Sequence, residues 1–304
     1  MLAAVITASA VFIISALAAG AGFSGYERLK TAGFQFMEEF GKEDGVYSNG
    51  MFWADIALYI NDEAFISMET AMFRDGEREL ARESTQYGPA VRNNPILSGS
   101  AQDDSTVSYT DKDVVYRWYN DGYFIERENS RRSYNGNSYT PGENFTPAQR
   151  QLIEAVADAL IGDTRNYFIS DGNIVSIALS GNQIPQIAQY AVAALAESAE
   201  RDAIYDRGIA NIFRIGADAR FSNGSLVVEL DDNNNVTGIR LDVEIVSTVN
   251  DKLQSFRITV EFFTKNIGTT TIPKPDGNAY GMPILPSYND ENAVVTFLYE
   301  TAVA

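Results

Sequence analysis

Residues 213–262 read FRIGADARFSNGSLVVELDDNNNVTGIRLDVEIVSTVNDKLQSFRITVEF, and this stretch decides the fold. Phe213, Ile215, Ala217, Ala219 and Phe221 alternate with Arg214, Gly216, Asp218 and Arg220; Leu226, Val228 and Leu230 continue the same beat. It persists through Ile239, Leu241, Val243 and Ile245, interleaved with Arg240, Asp242 and Glu244, and through Phe256, Ile258, Val260 and Phe262. A period of two belongs to strands with one buried face. Asn223-Gly224, Asp231 to Asn235 and Asn250-Asp251 carry turn chemistry. The stretch therefore predicts a four-stranded antiparallel meander with one apolar face.

Toward the N-terminus the same period recurs at Val46 to Ile60, Ala64 to Arg74 and Glu77 to Tyr87, with turns at Asn61-Asp62 and Asp75-Gly76. Gly88 to Asp104 reads as a loop. Asp113 to Tyr119 and Tyr123 to Glu128 flank the hairpin signal Asp121-Gly122, and a further hairpin is expected around Asp171-Gly172. Helical spacing appears three times. Tyr26, Leu29, Gly33, Phe34, Met37 and Phe40 form the first stripe. The second follows the capping box Thr146-Pro147-Ala148-Gln149 with Leu152, Ile153, Val156 and Leu160, and the third follows Asn182 with Ile184, Ile187, Ala191, Ala194 and Leu195. The sum is an α+β chain: a large antiparallel sheet of roughly 10 to 11 strands with two or three helices. Neighbouring strands twist by about 20 to 25°, so such a sheet curls into a gutter with its helices on the concave face. The expected organisation is a segment at 1–22, one half-barrel domain at 23–266 and a tail at 267–304 that adds at most one strand.

Composition narrows the chemistry. The 304 residues include 41 acidic and 23 basic side chains, a net charge of −18, with no His and no Cys. Imidazole-ligated metals, thiolate nucleophiles and Ser/His/Asp triads are thereby excluded. The charge repels phosphate backbones, so nucleic acid is not an expected partner. No cofactor, metal or catalytic residue is assigned. Met1 to Gly22 carries no charged residue and is long enough to cross a bilayer core. It reads as a signal peptide or a retained membrane anchor, with a buried core helix as the alternative, and it places the domain outside the cytoplasm.

Other candidate sites have plainer readings. Asp231, Asn233 and Asn235, with Asp242 in the twelfth position, imitate a calcium loop, but Val236 stands where the sharp turn needs Gly, so a polar hairpin loop is expected. Tyr109, Tyr116, Trp118, Tyr119, Tyr123 and Phe124 are expected as cross-strand pairs before a sugar-stacking surface. Arg127, Arg131 and Arg132 form the one basic cluster, and no carboxylate pair stands out as a hydrolase centre.

The order helix, long antiparallel run, capped helix, hairpin, helix opening at Gly181-Asn182-Gln183-Ile184-Pro185, closing meander resembles extracytoplasmic half-barrel proteins of the LolA, LolB and LppX type. Ser24-Gly25-Tyr26-Glu27, Tyr119-Asn120-Asp121-Gly122 and the Asn223-Gly224 turn share in the resemblance, which spans about Ser24 to Lys265. It implies a lipid-sized apolar pocket, a bacterial cell-envelope setting, a lipid or lipoprotein acyl chain as ligand, and no catalysis; the chain departs from it in lacking a lipobox Cys. Independently, three short helices leave part of a wide gutter uncovered. The expected lining is Phe34 and Met37, Ile153 and Val156, Ile187 and Ala191 on the helices, with Phe213, Val228, Leu241, Val243, Ile258 and Val260 below. The alternatives are a membrane-anchored sensor or protein-interaction domain with a filled core and, third, a secreted carboxylate-dependent hydrolase.

Overall fold

A computed structural model describes residues 25–40, 42, 44–93, 103–111, 114–119, 122–126, 147–190, 192–194, 215–216, 218–274, 283–284, 288–289 and 295–297. The apolar segment 1–22, the basic cluster at 127–132 and Phe213 lie outside them. Among the described residues no helix is long and apolar enough to cross a membrane.

Eleven strands form one antiparallel sheet: β1 (Asn49–Ile60), β2 (Glu63–Asp75), β3 (Arg78–Tyr87), β4 (Asp104–Asp111), β5 (Val114–Tyr119), β6 (Gly122–Glu126), β7 (Ile169–Asp171), β8 (Ile174–Ser180), β9 (Arg220–Leu230), β10 (Val236–Val249) and β11 (Lys252–Lys265). Their spatial order is β6-β5-β4-β3-β2-β1-β11-β10-β9-β8-β7, which leaves β6 and β7 as edges and the half-barrel open. Two meanders fan outward from the β1–β11 seam, so the longest-range pairing joins the two halves of the chain. Helices α1 (Gly25–Phe40), α2 (Pro89–Arg92) and α3 (Pro147–Ile161) are joined by α4, helical at 186–190 and 192–194. Thus the α+β architecture matches the expectation, and the strand number falls within its range.

Turn chemistry worked where side chains tolerate positive φ. Asn61 and Asp62 (φ 50° and 65°) and Asn250 and Asp251 (φ 51° and 60°) form the β1–β2 and β10–β11 turns. Asn223-Gly224 is a correction: β9 runs straight through it, so the closing meander has three strands, β9 to β11. The pairing with β10 skips Ser222, a bulge at which the Ser222 hydroxyl and the Asn223 amide both donate to Glu244 Oε2. Gly224 continues in register opposite both Val243 and Leu179. β4 lies between the expected loop and the strand from Asp113: its Thr/Ser-rich face hides the period, while Val107 and Tyr109 on the other face are fully buried.

The sheet has a core on each face. On the concave side Tyr26 and Leu29 of α1, Val91 of α2, Ile184 just before α4 and Ala188 and Val192 within it share one core with Val175, Leu226, Leu241, Val243 and Ile258. The α4 stripe is rotated from the expected one. Gln189 explains the angle: its Oε1 accepts from Phe221 N–H at 2.7 Å and its Nε2 donates to Phe221 C=O at 3.2 Å, pinning the helix to the start of β9. On the convex side Met51, Trp53, Phe73, Leu80, Val107, Tyr109 and Trp118 cluster under Ile272 and Val295. The C-terminal segment is thus part of the fold. Where at most one added strand was expected it contributes two short paired ones, β12 (Pro283–Ile284) and β13 (Thr296–Phe297), and Tyr288 stacks on Phe263 with centroids 4.4 Å apart.

Candidate functional site: the uncovered concave strip

The two-residue period fixes which side chains share the concave face, and the register fixes their neighbours. One row runs Leu226, Leu241, Val260, Ile56, Met68; the next runs Val228, Ile239, Phe262, Ala54, Thr70. Along both rows burial falls in one direction. Leu226, Leu241 and Val228 are sealed at 0 to 2% exposure. Val260, Ile56 and Met68, and likewise Phe262, Ala54 and Thr70, are only half-buried.

The cause is where the helices lie. Arg28 on α1 donates to Asn234 Oδ1 at 2.7 Å, to Asn173 Oδ1 at 3.3 Å and to the Gly172 carbonyl, and Gln35 donates to Asn235 Oδ1 at 2.8 Å. These bonds fasten α1 to the β7–β8 turn and the β9–β10 loop. Its far end crosses to β1 and β2, where Phe40 meets Phe52 edge-on at 5.4 Å and the Phe40 carbonyl accepts from Arg74 Nη1 at 2.8 Å. Helix α1 therefore follows one rim of the gutter. Val91 of α2 and Val192 of α4 seal the opposite end against Phe65, Ile66 and Phe256. A bulge at Leu58/Tyr59 helps there, because it turns both Phe65 and Ile66 inward. Between the two rims the middle of β11, β1 and β2 is a half-buried apolar strip.

The expected lining residues divide accordingly. Phe34, Met37 and Ile153 form a separate cluster between α1 and α3, with the Arg150 guanidinium 4.6 Å from the Phe34 ring centre and 2.7 Å from Glu38 Oε1. Val228, Leu241, Val243 and Ile258 belong to the packed concave core, and Val260 stands at its open margin. Ile187 is 46% exposed on the outer side of α4. Ala191, Phe213 and the Val156 side chain lie outside the described residues. The residues that sequence reasoning did not select are Ala54, Ile56, Met68 and Met72. Their signal was present, since each lies on the alternating face of a strand already predicted.

The polar candidates resolve into local structure. Asp231 Oδ1 accepts from the N–H groups of Asn233 and Asn235, both at 2.8 Å, and Oδ2 accepts from Asn235 Nδ2 at 2.9 Å, which is turn chemistry. Asp242 is committed to Arg257 through bonds of 2.9 and 2.5 Å on the convex face. That ion pair, with Asp62, Asn223, Ser225 and Glu244, lines an open polar groove of about 370 Å³. The aromatic residues pair across strands as expected: Tyr109 and Tyr116 are direct partners with centroids 5.9 Å apart.

One convex position has an electrostatic consequence. Asp55 stands in register between Glu69 and Glu261, and loss of hydration among its neighbours first, then those two carboxylates, push its carboxyl above the usual range. A carboxyl whose folded pKa is raised destabilises the fold once ionised; stability is gained as pH falls through the folded value and levels off below the unfolded one. Asp55→Asn is therefore expected to raise the melting temperature at pH 7, with the gain shrinking toward pH 4. Thermal melts across that range check it, and an unchanged or lowered melting temperature at pH 7 contradicts it.

No protein-family model matches the chain, and no curated protein matches it. Among solved structures, the chain is similar to LprF from Mycobacterium bovis at 12% identity, covering 80% of this chain and 97% of that one, with a TM-score of 0.25. It is similar to Rv2717c from M. tuberculosis at 8% identity, covering 72% and 93%, with a TM-score of 0.19. At these identities and TM-scores the likeness carries no conclusion about ligand or activity.

Proposed function

We propose that this protein is a non-catalytic, extracytoplasmic lipid-binding domain that holds an acyl chain along the concave strip of β11, β1 and β2. The observation that carries the reading is the half-buried row Val260, Ile56, Met68, left open between the α1 rim and the α2–α4 end. An alkyl chain laid there gains about 0.8 kcal/mol for each CH₂ removed from water, so about ten methylenes suffice for about 8 kcal/mol, a micromolar complex before ordering costs. The twelve residues expected from sequence take different parts in this reading. Val260 touches the chain, Val228, Leu241, Val243 and Ile258 form the rigid bed beside it, and Phe34, Met37 and Ile153 brace α1 from behind. Ile187, exposed on the outer side of α4, stands away from the strip. Residues 1–22 would tether the domain to a membrane or direct its export.

The test is native mass spectrometry of the full chain purified from cells. A co-purifying lipid of defined mass, displaced by added oleate, is the expected result; an unliganded mass together with no uptake of oleate refutes the proposal and favours an envelope interaction domain with a filled core.

A further inference from the structure

The edge strand β7 carries apolar side chains on its wet face. Ile169 is 65% exposed, and Tyr167 just before β7 and Ile174 at the start of β8 are exposed as well. Ile169 stands opposite Ser176 and Ile174 opposite Asp171, so the two isoleucines are diagonal neighbours on the convex face, about 7 to 8 Å apart. Phe168 is buried against Tyr26 of α1, with ring centroids 4.9 Å apart, and so anchors the segment inward while its two neighbours are left to solvent. The same edge is where the N-terminal apolar segment joins the fold. Gly25, the first residue of α1, lies so close to β7 that a Cβ on it would be 3.1 Å from the Ile169 carbonyl carbon and from the Ser170 nitrogen. Only Phe23 and Ser24 separate it from Gly22, the end of the uncharged stretch. That connection reaches at most about 11 Å.

We infer that the β7 edge is the surface this protein lays on a bilayer, with Tyr167, Ile169 and Ile174 at headgroup depth. The inference rests on residues 1–22 being a membrane tether, as proposed above, and adds which side of the domain the tether turns to the lipid. A span that ends within about 11 Å of β7 brings this edge to the interface, where tyrosine and aliphatic side chains gain from partial burial. A strand from another protein is a poorer occupant. β7 has three residues, a short edge for a template, and backbone pairing would leave uncovered the isoleucines that stand out of the sheet plane. Asp171 is exposed on the same face and the chain carries −18, so the surface that fits is zwitterionic and not anionic. Four strand spacings, about 19 Å along the sheet, then separate the membrane edge from β11 and hold the acyl strip clear of the bilayer.

The chain has no Cys, so one introduced cysteine carries one nitroxide. Full-length Ile169→Cys, Ile174→Cys, Leu253→Cys and Ala10→Cys, each spin-labelled, are reconstituted into phosphatidylcholine vesicles. Collision with oxygen, which concentrates in lipid, is compared with collision with a water-soluble nickel chelate. Leu253 is the control: it is 67% exposed near the β10–β11 turn, at the other end of β10 from the β9–β10 loop to which Arg28 fastens α1. Labels at 169 and 174 are expected to meet nickel at least about fivefold less often than the label at 253, and oxygen more often. Equal nickel collision at all three positions, with the Ala10→Cys label sealed in lipid, overturns the inference and leaves the tether standing. Low collision with both reagents at 169 and 174 means that protein, a second copy or residues 1–22, covers the edge, and overturns it as well. An Ala10→Cys label open to nickel removes tether and inference together.

Discussion

Gly88→Ala is expected to destabilise the fold by about 3 kcal/mol and to lower the melting temperature by roughly 6 to 12 °C. A Cβ on Gly88 would lie 1.6 Å from the Ala64 carbonyl oxygen and 2.4 Å from its carbon, and these are backbone atoms that no rotamer change removes. Gly88 N–H also donates to the Phe65 carbonyl at 2.9 Å, so the contact is tied to the bulge that turns Phe65 and Ile66 into the concave core. Relieving the clash must move α2, whose Val91 is fully buried, or the bulge itself. Gly76→Ala is the control. Gly76 has φ +61° and nothing within 4 Å of the added methyl, so only the strain of a left-handed alanine remains, about 1 kcal/mol. Thermal melts of both variants check the contrast, and equal losses would mean that the close approach at Gly88 is not what fixes this corner.

How legible the fold was depended on whether one face of a strand is wet. β9 to β11 alternate cleanly because Arg240, Asp242 and Glu244 meet solvent opposite Leu241 and Val243. β1 to β5 are covered on the convex side, so Trp53, Phe73 and Tyr109 interrupt the pattern with buried residues of the opposite phase. The covering segment is rich in Thr, Pro and Gly and carries no period, yet Ile272 in it is fully buried. Asn223-Gly224 misled for a physical reason: the dipeptide favours positive φ, but the cross-strand pairing on both sides of it outweighs a local preference of that size. Helix α4 had the right position and a shifted face, since the hydrogen bonds of Gln189 to Phe221 set its rotation and a polar side chain contributes nothing to an apolar stripe. The concave strip could not be located from spacing at all. It exists because α1 keeps to one rim, and that placement depends on Arg28 and Gln35 reaching residues 145 to 206 positions away in sequence.

Sealed core and open strip respond differently to the same substitution, which separates folding from binding within a single cross-strand row. Leu241 is 2% exposed between Leu226 and Val260. Leu241→Glu places a carboxylate in an apolar core and loses the packing of a full side chain, so a loss above about 4 kcal/mol is expected, enough to unfold a marginal domain. Two strands along the row, Ile56 is half-buried, and its carboxylate replacement has a route to water in the free protein. Ile56→Glu should therefore fold, with a stability change within about 1 kcal/mol. An acyl chain on the strip would close that route and force the carboxylate to desolvate, costing about 3 kcal/mol or more, so oleate affinity should fall by at least about 100-fold. Far-UV circular dichroism and an oleate titration read the two effects separately. If Ile56→Glu folds and still binds oleate as the wild type does, the chain does not lie between α1 and the middle of β1, and the strip is ordinary half-wet surface.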